Sequence, residues 1–449
     1  MNKKAQIVKP TKRELLTIRF MILIGCFSIV NFLYWFLQPE FRLDPLLFWL
    51  LCLTLFYGII RMLYMWYYYW NISIPKIPAT KETFTVDILT TFFPGEPYEM
   101  IIGTLNAIQN IRYPHTTYLC DEANDPYLKK VCEKLGVIHV TRENRIDAKA
   151  GNINNALQMA SGEICVILDP DHVPSTNFLD PIIPFFNDPK IGFVQIVQSY
   201  YNINDTLVAR GAAEQTYQFY GPMMMTMNSY GTVNAIGANC TFRRAALDSI
   251  GGHAPGLAED MHTAMLLHAK GWTSVYVPQV LAKGLVPSSL TAYYKQQLKW
   301  ARGTFDLLFY VYPKLFTKFT LRQKLHYGLL PLHYLIGVLY LINFLIPILS
   351  LFLFKMPWRG NIFYFGMIIL PMLMSIFLLR VYIQKWVIEK KERGFHIVGG
   401  LLQITSWWYY FLGFVYTIFR KKIKYLPTPK EGEEYSNYKI IIQNLIFAG

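Results

Sequence analysis

Two carboxylates separated by one residue follow an apolar run in this chain, and they are the first candidates for chemistry. Residues 164–168 are apolar, and Asp169, Asp171 and His172 come directly after them. This order is typical of a buried strand whose carboxyl end opens onto a polar site. Because strand side chains alternate, both carboxylates can point to one side and hold a hard cation, Mg2+ or Mn2+. The triplet alone is not specific, so its interpretation depends on its surroundings.

Three further sites carry side chains suited to a phosphorylated substrate. Asp121 ends a short apolar run, and Lys149-Ala-Gly-Asn152 begins a predicted helix whose backbone could approach a phosphate. Glu259 and Asp260 begin another predicted helix, which stops at Gly271. Taken singly, the second site also fits a tight turn before a helix, and the acidic pair also fits complementation of the helix dipole.

A basic and aromatic segment precedes the third apolar stretch of the chain. Residues 293–303 include Gln296, Lys299, Trp300 and Arg302 on a predicted amphipathic helix. Such a helix commonly anchors a protein at the membrane surface, with aromatic rings at headgroup level.

Short apolar runs alternate with helical patterns over the middle of the chain. Strands are predicted at 86–90, 117–120, 137–140, 164–168 and 193–196, and helices near 98–110, 126–135 and 149–160. This alternation predicts a mostly parallel sheet covered by helices, with ligands at the carboxyl ends of the strands.

Composition indicates a membrane protein that also carries a globular part. Of 449 residues, 53% are hydrophobic, 16% aromatic and 16% charged. The net charge of +14 comes mainly from Lys and Arg beside apolar segments, which favours membrane orientation over nucleic-acid binding. Six scattered cysteines indicate neither a zinc site nor a disulfide framework, so a reduced, cytosol-facing catalytic part is expected.

Four apolar stretches are long enough to cross a bilayer, at about 18–37, 46–70, 327–354 and 361–379. The first lacks the small-residue cleavage site of a signal peptide, and the positive-inside rule puts the amino terminus in the cytosol. A fifth run, 397–419, has basic residues on both sides and is predicted to be one interfacial helix. The tail at 438–447 is too short to span, so it either lies on the membrane or belongs to a shortened chain.

In this order the motifs resemble processive inverting glycosyltransferases, specifically membrane-embedded synthases of the bacterial cellulose synthase type. The resemblance covers nearly the whole chain and rests on Asp121, Lys149-Ala-Gly-Asn152, Asp169-Pro-Asp171-His172, Glu259-Asp260 and Gln296-x-x-Lys299-Trp300. It implies an α/β cytosolic GT-A glycosyltransferase domain with a mostly parallel sheet, inserted in an α-helical transmembrane bundle with interfacial amphipathic helices. It also implies a nucleotide-sugar donor and a polymer that leaves through a channel built by the protein's own helices.

On the donor side, the resemblance assigns a role to each acidic and basic motif. It implies that Asp121 lies near the uracil and Lys149 near the diphosphate. Asp169 and Asp171 would hold the nucleotide and its metal ion, Mg2+ or Mn2+, which acts as a Lewis acid on the leaving diphosphate.

On the acceptor side, the resemblance implies that Asp260 is the general base, with Glu259 beside it. Asp260 would remove a proton from the acceptor hydroxyl, which attacks the anomeric carbon opposite the nucleotide and turns an α-linked donor into a β-linked product. Gln296 and Trp300 match Gln-x-x-Arg-Trp, whose ring stacks on the acceptor sugar.

Two basic residues and a loop complete the implied nucleotide site. Lys299 stands where the family has Arg and cannot reproduce its bidentate phosphate contact, which Arg302 could supply from about one helical turn away. Thr428 and Lys430 lie in Tyr425-Leu-Pro-Thr-Pro-Lys430, which resembles the family's Phe-x-Val-Thr-x-Lys gating loop over the nucleotide.

The chain departs from the family pattern in several places. Cys120 and Glu122 flank Asp121 where Asp-Asp-Gly is usual, and Ala258 replaces the Thr before the acidic pair. The acceptor segment reads Ala235-Ile236-Gly237-Ala238 in place of a Phe-Cys-Gly-Ser-like sequence, which makes Ile236 and Gly237 acceptor-binding candidates. These changes affect the predicted linkage more than the predicted reaction.

Six segments are predicted from these observations. They are 1–72 with two transmembrane helices, 73–286 as the catalytic domain, 287–326 with the Gln-x-x-Lys-Trp motif, 327–388 with two transmembrane helices, 389–424 as the interfacial helix, and 425–449 as the gating-loop-like tail. This organisation leaves no room for a carboxyl-terminal cyclic-dinucleotide domain within the chain.

The leading hypothesis is a plasma-membrane, multi-pass enzyme that polymerises glucose from UDP-glucose into a β-glucan and secretes it. Its expected partners are the UDP-sugar, the growing polysaccharide, the lipid bilayer and an accessory export subunit, and no nucleic acid. His172 favours glucose, because that histidine accompanies the cellulose-type motif; the alternative is a chitin, hyaluronan or poly-N-acetylglucosamine type of polymer. A non-processive glycolipid synthase would lack the Gln-x-x-Lys-Trp helix, and a transporter would carry more ionisable residues in its spans.

Overall fold

Two long helices lead into the sheet of this protein. The computed structural model describes three stretches of the chain: residues 7–80, 82–423 and 438–448. Helix α1 spans Lys12–Phe36 and helix α2 spans Pro45–Tyr69. Thr11 caps α1 by accepting a bond from the Glu14 backbone, and the Glu14 carboxylate accepts from Thr11 in return.

A seven-stranded sheet forms the centre of the following part, which we call the sheet domain (residues 86–283). In the described residues nine strands occur: β1 Val86–Phe92, β2 Thr116–Asp121, β3 Ile138–Val140, β4 Ile164–Leu168, β5 Val173–Pro174, β6 Ile191–Ile196, β7 Cys240–Arg243, β8 Thr273–Val277 and β9 Ala282–Lys283. The sheet order is β3-β2-β1-β4-β7-β6-β8, and β5 pairs with β9 separately. Only β7 runs antiparallel to its neighbours in the large sheet. The predicted mostly parallel sheet is therefore confirmed.

Seven helices of the sheet domain connect these strands within the described residues. They are α3 Tyr98–Gln109, α4 Pro126–Leu135, α5 Ala148–Leu157, α6 Leu207–Glu214, α7 Met224–Tyr230, α8 Arg244–Asp248 and α9 Glu259–Ala269. The predicted strands each coincide with an observed strand to within a few residues, whereas β7, β8 and the β5/β9 pair have no predicted counterpart.

Both faces of the sheet are covered, as strand β4 shows. Cys165 and Ile167 belong to one apolar cluster, and Ile164, Val166 and Leu168 belong to another. The first cluster continues through α7 to the long helices α1 and α2 and to the helix at 362–383. The sheet domain and the helical part therefore share one apolar core. Because β4 is apolar on both faces, its polar chemistry begins only where the strand ends, at Asp169.

The carboxyl-terminal third is helical. Its helices are α10 Leu290–Asp306, α11 Tyr312–Leu315, α12 Leu321–Leu329, α13 Ile336–Leu353, α14 Ile362–Ile383, α15 Ile397–Thr405, α16 Trp407–Ile418 and α17 Ile442–Ala448. A 3-10 helix at Pro331–Leu335 connects α12 to α13.

Four helical stretches of the described chain have the length and apolar composition to cross a membrane. They are Lys12–Phe36, Pro45–Tyr69, Leu321–Leu353 and Ile362–Trp386. The four apolar stretches identified in the sequence correspond to these helices.

The fifth apolar run differs from the expected single helix. It forms α15 and α16, which are separated at Ser406, and each is too short to span a bilayer. The Ser406 hydroxyl donates to the Leu402 carbonyl at 2.6 Å, a local bond that competes with regular helix geometry. Helix α17 packs on this break, where Asn444 donates to the Thr405 carbonyl at 3.0 Å.

Candidate active site

A cavity of about 580 Å3 runs from the carboxyl edge of the sheet to the long apolar helices α2 and α14. At the sheet edge it is lined by Glu122, Lys149 and Asp169, and in its middle by Asp260 and Trp300. At the far end the lining comes from helices α2, α14 and α15 and from the 3-10 helix at 331–335. Residues from nearly the whole length of the chain therefore face one continuous space.

The backbone that leads into α5 is strained, and Lys149 lies in the first turn of that helix. Asp147 and Ala148, the two residues before Lys149, have φ values of +60° and +44°. Gly151 is required there, since a Cβ would lie 2.0 Å from the Ile146 carbonyl oxygen. The Lys149 ammonium pairs with the Asp169 carboxylate and donates to the Gly237 carbonyl at 2.6 Å.

Neighbouring carboxylates keep Lys149 in its charged form. Burial opposes it, but the nearby carboxylates of Asp169, Glu259 and Asp260 outweigh burial and raise the pKa of the lysine. The cavity thus has a fixed positive charge beside a helix amino end, an arrangement suited to a phosphate.

Asn152 and Glu122 complete this end of the cavity. The Asn152 amide donates to the Cys120 carbonyl at 2.9 Å, while its buried Oδ1 has no hydrogen-bond partner among the described residues and its side chain lines the cavity. Glu122 receives two bonds from the Arg142 guanidinium, at 2.9 and 3.2 Å. Arg142 also donates to the Ala148 carbonyl at 2.8 Å and so ties the end of β2 to the start of α5. Arg142 was not predicted from the sequence, because no motif surrounds it.

Asp121 is not brought into the cavity. Its carboxylate accepts bonds from the backbone amides of Ala123 and Asp125, at 2.8 and 2.6 Å, and lies 2.9 Å from His139 Nε2. The side chain is fully buried and organises the loop after β2.

Asp169 and Asp171, the two carboxylates predicted from the sequence to hold a cation, form a cluster with His172. One donor atom from each residue lies within 4.8 Å of the other two. Asp171 is 0% exposed and accepts a bond from the Leu285 amide at 2.8 Å, whereas Asp169 lines the cavity. Within residues 7–80, 82–423 and 438–448, His172 Nδ1 is buried without a hydrogen bond and lies 3.3 Å from Asp171 Oδ1. Two carboxylates and an adjacent unsatisfied buried atom fit a hard divalent cation.

Asp260 faces the cavity from the first turn of α9, next to Glu259. Burial, reinforced by the Glu259 charge, raises the pKa of Asp260 to about 7. Gly237 lies against it with φ +74°, and a Cβ there would come within 3.1 Å of Asp260 Oδ2. A carboxylate with a pKa near neutrality is suited to general base catalysis.

Helix α10 presents Gln296, Lys299 and Trp300 to the same cavity. Burial, reinforced by the charge of Lys149, lowers the pKa of Lys299. Arg302 points elsewhere: it pairs with Asp306 on its own helix and donates toward Thr417 Oγ1 of α16 at 3.3 Å. The expected substitution of Arg302 for the family arginine therefore has no support in this geometry.

The predicted acceptor segment, Ala235 to Ala238, lines the cavity together with Asn234 before it, and from here on the name covers residues 234–238. Gln195 holds it in place: Gln195 Oε1 accepts from the Ile236 amide at 3.0 Å, and Gln195 Nε2 donates to the Ala238 carbonyl at 3.0 Å. Gln195 is fully buried within strand β6.

The membrane end of the cavity is formed by residues that the sequence analysis did not identify. Arg61 of α2 donates to His333 Nδ1 at 2.8 Å, and Tyr64, Tyr334 and Gln403 line the wall nearby. Tyr64 is 4% exposed, and its hydroxyl has no partner within the described part of the chain. The sequence does carry a signal for this end of the cavity. Polar side chains recur along the apolar helix α2 at Tyr57, Arg61 and Tyr64.

Thr428 and Lys430 lie outside the described residues. Their placement over the nucleotide stays a prediction from the sequence.

Comparison with known proteins gives a consistent result. A family model described as "Glycosyl transferase family group 2" matches residues 164–419, more than half of the 449-residue chain. The cellulose synthase catalytic subunit (UDP-forming) of Xanthomonas axonopodis pv. citri (strain 306) is 29% identical over 280 residues, which cover 60% of this chain and 38% of that protein. Cellulose synthase 2 of Novacetimonas hansenii is 25% identical over 409 residues, or 84% of this chain and 24% of that protein. The chain thus spans less than half the length of either relative.

A solved structure shares the fold. The mannosyltransferase from Pyrobaculum calidifontis in complex with GDP-Man and Mn2+ superposes with a TM-score of 0.54 at 16% identity, covering 83% of this chain and 100% of that one. The predicted GT-A-like architecture is confirmed by this likeness.

Proposed function

The chain belongs to glycosyl transferase family group 2, and from this premise we propose that it is a processive, inverting synthase that polymerises glucose from UDP-glucose into a β-glucan. Its homology to bacterial cellulose synthase catalytic subunits supports this class of product. One observation carries the proposal: a single cavity joins a phosphate-suited end at Lys149 to a wall at its far end that carries the aromatic rings of Tyr64 and Tyr334. A donor at one end and a growing chain at the other would share this space.

In the proposed reaction the donor diphosphate lies against Lys149 and the amino end of α5. Asp169 and Asp171 would hold Mg2+ or Mn2+, which supplies charge compensation for the leaving diphosphate when bound. Lys299, close enough for the charge of Lys149 to lower its pKa, adds a second positive group to the same end. The unsatisfied Oδ1 of Asn152 offers an acceptor for a donor hydroxyl or amide.

Asp260 is the proposed general base. Its carboxylate accepts the proton of the acceptor hydroxyl while that oxygen bonds to the anomeric carbon and the bond to the diphosphate breaks. Glu259 tunes this group, since its negative charge helps to raise the pKa of Asp260. Attack opposite the leaving group gives a β-linked product from an α-linked donor.

The acceptor sugar is proposed to stack on Trp300, with Gln296 as a hydrogen-bond partner and Ile236 and Gly237 shaping the opposite wall. All four residues line the cavity next to Asp260. An aromatic ring with nearby amides suits a sugar, which has apolar C–H faces and a rim of hydroxyl groups.

We further propose a multi-pass arrangement in the plasma membrane with the sheet domain in the cytosol. The four span-length helices and the basic segment 380–393 support it through the positive-inside rule. The product would then cross the membrane past α2, α14 and residues 331–335, beside Arg61 and His333.

Incubation of the purified protein with single UDP-sugars and Mg2+ or Mn2+, followed by linkage-specific glycanase digestion, tests the proposal. We expect a long product from UDP-glucose that β-glucanases degrade. A product made only from UDP-N-acetylglucosamine would show that this nucleotide sugar, and not UDP-glucose, is the donor. Addition of a single sugar to a lipid would refute processivity. No product from any nucleotide sugar would refute the proposed function.

A further inference from the structure

A buried histidine connects the acceptor segment to a membrane helix. His326 of α12 is 0% exposed, and both of its ring nitrogens are engaged. Nδ1 lies 2.6 Å from the hydroxyl of Tyr68 on α2, and Nε2 lies 2.9 Å from Oδ1 of Asn234, the first residue of the acceptor segment.

The chemistry of the partners fixes the direction of both bonds. The Asn234 carbonyl oxygen can only accept, so the His326 ring carries its proton on Nε2 and donates it. Nδ1 then holds a lone pair and accepts the Tyr68 hydroxyl proton. The neutral ring is therefore satisfied at both ends, and loss of either partner would leave a buried polar atom unpaired.

Helix α12 holds the stretch before the acceptor segment at two more points. Arg322 donates to the Ser229 carbonyl at 3.4 Å, and Gln323 donates to the Gly231 carbonyl at 3.3 Å. These two residues and His326 lie on one face of the helix. The bond at His326 is the shortest of the three and the only one of them that reaches a residue lining the cavity.

The other end of the acceptor segment touches the reaction centre. The Gly237 carbonyl accepts from Lys149 at 2.6 Å, and its Cα packs beside the Asp260 carboxylate. Only two residues, Ala235 and Ile236, lie between Asn234 and Gly237, so a displacement at Asn234 is expected to reach the wall that faces Asp260.

We propose that His326 is a positioning residue for the transfer reaction: it fixes the acceptor segment relative to Asp260 and ties that position to membrane helix α2. The proposal rests on the proposed function, because it concerns the placement of the acceptor. His326 does not line the cavity and acts only through Asn234.

The test compares His326→Leu with His326→Gln and with a matched control, His268→Leu. Glutamine offers an N–H and a carbonyl oxygen and can bridge Asn234 and Tyr68 as the imidazole does. His268 is also buried with both nitrogens engaged, by the Tyr327 hydroxyl at 2.7 Å and Ser274 Oγ at 2.8 Å, but neither partner lines the cavity. The control therefore reports the cost of losing a buried histidine whose own hydrogen bonds do not reach the acceptor segment.

We expect His326→Leu to lower polymer formation by about tenfold or more while UDP affinity changes less than about twofold, since misplacement of reacting groups affects turnover more than donor binding. His326→Gln should stay within about threefold of the wild type, and Asn234→Ala added to His326→Leu should cause little further loss. Equal losses in His326→Leu and His268→Leu, or a matching loss of UDP affinity, would overturn the proposal.

Hydrogen exchange gives a readout that does not need activity. His326→Leu should accelerate exchange of the amides at 232–238, and His268→Leu should not. If wild-type protein forms no glycosidic product, the proposed function fails, yet this exchange difference still decides whether His326 positions the segment. Unchanged exchange in His326→Leu would refute the positioning role.

Discussion

The two ends of the cavity are built from different chemistry. At the donor end, Lys149 pairs with Asp169 and Arg142 pairs with Glu122, so each charge has an opposite charge beside it. At the membrane end the wall carries Tyr334 and amide side chains, and Arg61 bonds to an imidazole nitrogen of His333. Within the described part of the chain, Arg61 has no carboxylate partner.

This difference matches what each end is proposed to hold. A nucleotide diphosphate carries concentrated charge and must stay in one place, which fixed ion pairs at strand and helix ends achieve. A polymer must move after every addition, so it needs many weak contacts that are easily exchanged. Asp260 and the acceptor segment stand at the border between the two ends.

Replacing the proposed base at the border should have the largest effect. Asp260→Asn keeps the size of the side chain but cannot take a proton, so we expect polymer formation to fall by about a thousandfold. UDP affinity, measured by calorimetry, should be retained. Asp248→Asn, at an acidic residue in a surface pair with Arg244, is the control and should be silent. Substantial synthesis by Asp260→Asn would remove it from the role of base.

At the donor end, Lys149→Ala removes the ammonium proposed to meet the diphosphate. UDP affinity should fall by about tenfold to a hundredfold, the range for losing a hydrogen bond to a charged group. Lys134→Ala, at an exposed lysine of α4, is the matched control. If UDP binds equally well to Lys149→Ala, the diphosphate lies elsewhere.

At the acceptor end, Trp300→Ala should leave UDP affinity unchanged and reduce polymer formation by several-fold to tenfold, because it removes only ring stacking. Trp300→Phe retains a stacking face and should recover most of the activity. The measurement is the split between donor converted to polymer and donor hydrolysed to free sugar. A loss of UDP affinity in Trp300→Ala would contradict the separation of the two ends.

Gly237→Ala tests the contact between the acceptor segment and the base. Its new Cβ would press on Asp260 Oδ2 at 3.1 Å, whereas a Cβ on Gly231, which also has positive φ, meets open space. Both variants pay about 1–2 kcal/mol for the left-handed conformation. Polymer formation normalised to folded protein should fall a few-fold further in Gly237→Ala than in Gly231→Ala, and equal activities would show that the contact has no role.

The smallest expected effect is a shift in pH dependence. Asp260 must be ionised to accept a proton, so with a pKa of about 7 the rate should rise as pH increases through 7. Glu259→Gln removes a negative charge that raises this pKa, so the acidic limb of the pH–rate profile should move to lower pH. A limb that stays in place or moves upward would show that Glu259 does not tune Asp260.

Asp169 and Lys149 of the donor end could be predicted from the sequence because each follows from a local pattern, whereas Arg142 belongs to no motif. Residues 164–168 fill both faces of the sheet, and the chain turns polar at Asp169 as soon as the strand ends. The same applies to Lys149 at the start of α5. The sheet order near them could not be predicted fully, since β7 has only four residues and a mixed pattern.

The membrane end could not be predicted, because packing alone brings its residues together. Arg61, Asn234 and His333 are separated by about a hundred residues or more and belong to no common motif. Helix spacing predicted that Arg302 replaces the family arginine, and this role stays a prediction; its contacts with Asp306 and Thr417 are seen only in the folded chain.

The most direct test of the account is electron cryomicroscopy of the protein in lipid nanodiscs during turnover with UDP-glucose and Mg2+. The account predicts nucleotide density at Lys149 and continuous carbohydrate density from Trp300 past Tyr334 to Arg61. Lipid density at Tyr334 and Arg61, with sugar confined to the donor end, would contradict it.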